Sequence, residues 1–379
     1  MEEIVKQVHA LAATADEKSH RKLVDTFRQL LYLIERPEDT AHRLMFTHQQ
    51  LAVARVAQNS KLIEVLVKNE RVPMTAEQVA KETGISLLLT ERLLRFMGAN
   101  GMATETSDGK YAASKNTEAL DIPGIRAGVG FGMNIVSPGA QALPAFLQRT
   151  GYRNPDSIHN CPWYPEHNKD LNVMQYLFSD ATVLQEFNGW MQHQRLNSST
   201  WMDVYPLDDS SSPQQDFFVD IGGGVGHMCV ALKERFPKLS GRVVLQDLPG
   251  TIDNLSPGQP FAPIAHNYFE EQPVKRAKYY YFRNIMHNLT GESCQKVLAQ
   301  TKAAMSPDSK ILVDDIVVPT QGAHWRTVEL DILMMNVLGA IERTEEQWHK
   351  LFSGVGLKIA KTYIYDDVQA DAVMEVVSV

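Results

Sequence analysis

One stretch of the chain spaces its glycines in a way that chemistry can use. Phe217-Phe218-Val219-Asp220-Ile221 reads as a strand, Gly222-Gly223-Gly224-Val225-Gly226 follows, and His227 opens an amphipathic helix. Glycines suit a backbone that must turn sharply and approach a ligand closely. The start of a helix adds N–H groups and a field that favours negative charge. A dinucleotide fingerprint, Gly-x-Gly-x-x-Gly, would place its last glycine at position 227, which is His227. No Gly-Lys-Ser/Thr follows, and that excludes a triphosphate P-loop. The pattern is instead Asp220-x-Gly222-x-Gly224-x-Gly226, with Asp247 closing the next strand, VVLQD. That is the spacing of an S-adenosylmethionine (SAM) site, where the loop faces an amino-acid tail and the strand-end acid takes the ribose hydroxyls. An ordinary tight strand-to-helix turn is the plain alternative.

A second group of residues could move a proton. KYYYFRN leads into Ile285-Met286-His287-Asn288, KILVDDIVV carries Asp314 and Asp315, and Ile341-Glu342-Arg343-Thr344 precedes a helix capped by Thr344 and Gln347. Alternation along a strand sends Asp314 and Asp315 to opposite faces. Histidine suits a general base because its reference pKa lies near neutrality, and a carboxylate behind the ring would hold its tautomer. Methyl transfer from a sulfonium is an in-line displacement that needs positioning and such a base. Any one of twelve histidines is more often structural. The glycine loop upstream and the acids downstream single out His287.

The elements that must position these groups are legible in outline. FFVD, RVVLQD, KYYYFRN and KILVDDIVV alternate with amphipathic stretches such as HMCVALKERF, the pattern of a doubly wound parallel α/β sheet. Strand ends then converge on one crevice. LKIAKTYIY and DAVMEVVSV are joined only by DDVQA, too short for a helical crossover, so they should pair antiparallel at one edge. The first half reads as helical, with Val24, Phe27, Leu30, Leu31 and Ile34 at helical spacing. Residues 74–120 read as helix, turn, helix and hairpin, with a capping box at Thr75 and Gln78 and a tip at Asp108-Gly109. That layout is a winged helix-turn-helix. Its second helix carries Arg92 and Arg95 beside Glu91, without a basic stripe, and points to packing or dimerisation rather than nucleic acid. LDDSSSPQQD reads as a linker, dividing a helical domain, 1–205, from a cofactor-binding domain, 206–379.

Composition agrees. The 379 residues carry a net charge of −8, which argues against a phosphate-gripping protein. Cys161, Cys229 and Cys294 fit no zinc spacing and suit a reducing, cytoplasmic setting, so no metal is expected. No apolar run reaches the roughly 18 residues of a membrane span.

Most of the chain resembles the small-molecule O-methyltransferases of fungi and plants, of the caffeate and flavonoid type. The motifs are FVDIGGGVGH, VVLQDLPGTI, HNYFEEQPVKRAKYYYFRNIMHNL, ILVDDIVVP and ELDILMMNVLGAIERTEEQW, with FNGWM in the first half. The resemblance implies a Rossmann-like class I methyltransferase domain behind a helical winged-helix domain that forms a homodimer. It implies that Asp220, Gly222, Gly224, Asp247 and Leu248 hold SAM, with Tyr268 and Phe269 by the adenine and Arg283 near the cofactor tail. His287 takes the place of the base, with Asp315 and Glu342 as supporting acids. Met133, Trp190, Met191, Met334 and Met335 become candidates for an acceptor pocket, where methionines and aromatics give adaptable walls to a flat small molecule. Plain core is the alternative for each.

Four positions depart from the family. His-Asp-Trp becomes His287-Asn288-Leu289, an adenine-site Asp becomes Asn267, and the first supporting acid is the shorter Asp315. The expected activity is O-methylation of an aromatic or polyketide-derived hydroxyl. The alternative is a SAM-dependent pericyclase or dehydratase that uses the sulfonium charge without methyl transfer. A SAM-sensing winged-helix regulator is a third reading.

Overall fold

The computed structural model describes residues 2–164, 166–194 and 199–379. Strands β1 (Thr104–Glu105) and β2 (Tyr111–Ala112) form a small hairpin, with Gly109 at φ +74° in its turn. The other strands are β3 (Asp216–Ile221), β4 (Arg242–Asp247), β5 (Ala262–Ala265), β6 (Tyr279–Arg283), β7 (Lys310–Val318), β8 (Arg343–Thr344), β9 (Leu357–Asp366) and β10 (Asp371–Ser378). They form one sheet in the order β5-β4-β3-β6-β7-β10-β9, with β8 paired beside β7. Strands β3 to β7 run parallel, and β10 runs antiparallel to both β7 and β9, as the short DDVQA connection requires. The sheet grows one way from β3 to β5 and the other way from β6 to β7. The crevice at this switch point is where ligands enter such sheets. The glycine loop follows β3, and the His287 turn follows β6.

Strand alternation builds a core on each face. Val219, Ile221, Tyr280, Phe282, Ile311 and Val313 pack under the helices Gly291–Ala304 and Glu345–Ser353. Phe218, Tyr279, Tyr281 and Leu312 face the opposite way, against Trp201, Tyr205 and the helix His227–Arg235. Strand β5 escaped sequence reading. It is four residues long, contains Pro263 and lies at the sheet edge, where a missing N–H costs no ladder bond.

The compact units divide at Ile122/Pro123, so the expected domain boundary near residue 205 falls inside the second unit. The reason is apolar packing. Phe131, Ile135 and Trp163 share a core with Met334, Val337 and Leu338 from the helix Trp325–Leu338. In the first unit, the helices Ala76–Thr83 and Leu87–Ala99 lead to the hairpin, as a winged helix requires. Thr75 Oγ1 accepts the Gln78 N–H at 3.3 Å, and Gln78 Oε1 accepts the Thr75 N–H at 2.8 Å. That capping box starts the first helix, and Gly84 at φ +74° ends it.

Candidate active site

The glycine loop bends through the left-handed region three times, at Gly222 (φ +72°), Gly224 (φ +60°) and Gly226 (φ +85°). Two of these glycines are also required by space. A Cβ on Gly222 would stand 2.6 Å from Ile285 Cδ1, and one on Gly226 would stand 2.4 Å from Phe261. Among the described residues, a Cβ on Gly224 would meet nothing within 4 Å. Asp247 closes the loop from the neighbouring strand. Its Oδ2 accepts the Gly224 N–H at 2.9 Å and its Oδ1 accepts the Leu248 N–H at 2.8 Å. The Leu248 side chain is exposed. Tyr268 lies on the same side, 3.7 Å from the Cβ position of Gly222, and its ring packs on Phe269 at 4.9 Å. Asn267 caps this segment through the Phe269 N–H at 3.1 Å.

Asp220 points to the face opposite Val219 and Ile221 and is fully buried. Burial pushes its carboxyl up to about 7, against the pull of the Cys229 thiol and the nearby Arg283 charge. Arg283 stands at the end of β6. Its Nη1 approaches Met228 Sδ at 2.8 Å, in the first turn of the helix that follows the glycine loop. The cofactor candidates therefore lie at or just past the ends of β3, β4, β5 and β6.

His287 sits in a 3₁₀ turn, Met286–Asn288, just past β6. Its Nδ1 stands 2.7 Å from Glu342 Oε1 and 3.8 Å from Asp315 Oδ1. All three residues are buried. One ligand-type atom from each lies within 4.8 Å of the others, a set able to share a proton or hold a cation. Among the described residues, Glu342 Oε2 and both Asp315 oxygens have no hydrogen-bond partner. Burial and the adjacent Glu342 raise the Asp315 pKa, while His287 opposes them, with burial the largest influence. Asn288, at the departure from His-Asp-Trp, is exposed, and its amide donates to the Asn284 carbonyl at 2.7 Å.

Sequence reasoning missed what holds this group in place. Arg343, next to Glu342, is buried and donates to the carbonyls of Met286 (2.7 Å) and Leu289 (2.8 Å). Glu342 thus meets the histidine ring while its neighbour clasps the backbone on both sides of that ring. Asp331 accepts the Glu342 N–H at 2.9 Å. The signal was present in the Glu-Arg-Thr run, but nothing in its spacing says where a guanidinium will reach.

The acceptor-pocket candidates are only partly brought together. Met334 is buried in the core that also packs Trp190. Met133 lies in a π-helical turn, Gly132–Val136, and is half-buried, as is Met335. Met191 is 36% exposed on the helix Ala181–His193. Among the described residues, no helix is long and apolar enough to cross a membrane.

Known proteins share this architecture. Residues 160–358 match the family model of the O-methyltransferase domain. The demethylsterigmatocystin 6-O-methyltransferase of Aspergillus parasiticus is 32% identical over 370 residues, covering 97% of this chain and 95% of its own. A solved structure described as a pericyclic reaction enzyme superposes with a TM-score of 0.93 at 31% identity, covering 100% of this chain and 99% of that one. The structure of LepI in complex with SAM has the same score and identity, over 100% and 98%. By its matched domain and full-length relatives, the chain belongs to the O-methyltransferase domain family.

Proposed function

We propose that this protein is a SAM-dependent O-methyltransferase that methylates a hydroxyl of an aromatic or polyketide-derived small molecule, with His287 as general base. The observation that carries the reading is the 2.7 Å approach of His287 Nδ1 to Glu342 Oε1. With Nδ1 turned to the carboxylates, base chemistry runs through Nε2.

The loop fits the cofactor. Gly224 has open space where a side chain would stand, and Asp247 lies beside it. Gly222, Gly224, Asp247, Leu248, Tyr268, Phe269, Asp220 and Arg283 would hold the adenosyl group and its amino-acid tail. When bound, SAM supplies a methyl group on a sulfonium. His287 Nε2 would take the acceptor's hydroxyl proton as that oxygen is methylated, with S-adenosylhomocysteine (SAH) as the by-product. Glu342 stabilises the imidazolium so formed, and Asp315 adds a second negative group. Met133, Trp190, Met191, Met334 and Met335 would wall the acceptor site.

The second reading, a SAM-dependent pericyclase or dehydratase, is favoured by the whole-chain likeness to a pericyclic reaction enzyme. Against it, the departure at Asn288 falls on an exposed side chain bonded to its own turn, and the His287–Glu342 pair is intact. Incubation with SAM and candidate phenols tests both, with SAH and methylated product quantified together. Equal yields support methyl transfer. A SAM-dependent product without SAH overturns it.

Homodimerisation and a cytoplasmic setting belong to the same proposal. The helix Glu17–Ile34 has an apolar face and no buried residue. The three cysteines are buried and none is in a disulfide.

A further inference from the structure

The turn that carries His287 is held only lightly by its own bonds. The 3₁₀ turn Met286–Asn288 closes through the Asn288 N–H to the Ile285 carbonyl at 3.1 Å and the Leu289 N–H to the Met286 carbonyl at 3.2 Å. A turn this short has poor hydrogen-bond geometry and leaves carbonyl lone pairs for partners outside it. Arg343 is that partner. Its Nη1 donates to the Met286 carbonyl at 2.7 Å and its Nη2 to the Leu289 carbonyl at 2.8 Å, so one planar fork spans the backbone on either side of His287. The Cys294 thiol, from the helix Gly291–Ala304, points at the same two carbonyls at 3.3 Å and 3.6 Å.

The guanidinium is itself fixed. Arg343 is 4% exposed, lies in register beside Val317 of β7, and has its guanidinium carbon 5.2 Å from the centroid of the Trp348 ring. Trp348 is fully buried, and its indole N–H donates to the Ile316 carbonyl at 3.0 Å, one residue past Asp315. Burying a guanidinium costs free energy that its partners must offset, and here they are two carbonyls and an aromatic face. The preceding residue, Glu342, meets the His287 ring at 2.7 Å. Two consecutive residues therefore hold the ring and the backbone that carries it.

We propose that Arg343 is a positioning residue that sets the His287 ring against Glu342 by fixing residues 286–289 through their two end carbonyls. The inference rests on the reading of His287 as a carboxylate-supported base and deepens it. Arg343 acts through the backbone of the turn, so its removal loosens the ring's pairing rather than the ring's chemistry.

NMR of the full chain with isotope-labelled histidine tests this without any acceptor. The proton on His287 Nδ1, bonded to a buried carboxylate, should give a far-downfield signal in the wild type. His287→Ala assigns that signal by its disappearance. In Arg343→Met the signal is expected to vanish, or to shift upfield and exchange with water about tenfold faster or more, the scale of a lost charged hydrogen bond. Spectra are taken well below each variant's melting temperature, where a loss of stability alone leaves the signal in place. Arg343→Lys keeps the charge but not the fork. It should keep the signal at an intermediate position, with exchange about threefold faster, and it carries the test if Arg343→Met fails to fold. A signal unchanged in position and exchange in Arg343→Met, or in Arg343→Lys where only that variant folds, overturns the inference. A wild-type chain with no His287-dependent signal overturns the supported-base reading as well, so the two failures are distinguishable.

Discussion

His287 Nδ1 and Glu342 Oε1 meet at 2.7 Å although 55 residues separate them in the chain, because β6 and the segment ahead of β8 both end beside β7. This pairing predicts a graded response. His287→Ala should lower kcat by about 10²–10⁴-fold, the usual worth of a positioned base. Glu342→Gln keeps the shape but removes the charge proposed to support the imidazolium, and should cost roughly 10²-fold or more. Asp315→Asn, at 3.8 Å rather than 2.7 Å, should cost less than Glu342→Gln. Steady-state rates with SAM saturating check the order. Full activity in Glu342→Gln would remove the carboxylate from the mechanism.

The glycine loop separates folding from binding. Gly226→Ala combines a left-handed φ of +85° with a 2.4 Å clash against Phe261 and should destabilise by roughly 2–5 kcal/mol. Gly224→Ala carries only the backbone strain, about 1–2 kcal/mol, since no atom stands near its new Cβ. The space beside Gly224 is where the cofactor is proposed to lie. Gly224→Ala should therefore melt near wild type and lose most SAH affinity, whereas Gly226→Ala should melt early. Thermal melts and calorimetry on both variants decide the matter. Normal SAH binding by Gly224→Ala would move the cofactor away from that glycine.

Residue 288 separates the two functional readings in a different way. The Asn288 amide donates to the Asn284 carbonyl, and Asn284 sits at φ +53°. Asn288→Asp sets a carboxylate against that carbonyl, so it should lower the melting temperature by a few degrees, about 1 kcal/mol. The rate should change by less than about threefold, because this side chain lies outside the His287–Glu342 pair. A large gain or loss of methylation would bring residue 288 into the chemistry.

Much of this arrangement was legible in the residues. The strand runs, the antiparallel pair at the sheet edge and the capping boxes at Thr75 and Thr344 rest on local rules, and the structure follows them. The glycine loop declared itself because left-handed turns admit few other residues. The meeting of His287, Asp315 and Glu342 followed from the convergence of strand ends. What stayed hidden depends on reach. Arg343 grips carbonyls 54 and 57 residues away, and Tyr365 crosses a strand to find Asp314. The unit boundary at residue 122 was hidden for a related reason. A polar linker near 208 is visible in composition, whereas the packing of Phe131 and Ile135 on Met334 and Val337 is not.

The proposed dimer makes a surface prediction. Val24, Phe27, Leu30, Leu31 and Ile34 line one side of the helix Glu17–Ile34 and are between 38% and 73% exposed. An apolar stripe of that length is a liability unless another surface covers it. Leu31→Glu combined with Phe27→Glu should shift the chain to monomers, weakening self-association by about 100-fold or more. The secondary structure should be preserved, since neither side chain is buried in its own unit. Sedimentation equilibrium checks this, and an unchanged dimer would place the interface elsewhere.

The raised pKa of Asp220 predicts a direction for stability against pH. An ordinary carboxyl titrates near 4, whereas burial holds this one at about 7 in the folded chain. Between those values the folded state keeps a proton that the unfolded state has released. Stability contributed at this position therefore falls as pH rises from about 4 to about 7, and then levels. The loss amounts to a few kcal/mol at most, because each pH step of one between those values is worth roughly 1.4 kcal/mol. Asp220→Asn removes the titration while keeping the size. It should be less stable than or equal to wild type near pH 4 and should overtake it by pH 7. Urea unfolding of both proteins across that range is the measurement. Parallel curves would mean that Asp220 is ionised in the folded chain, with the Arg283 charge and the Cys229 thiol outweighing its burial.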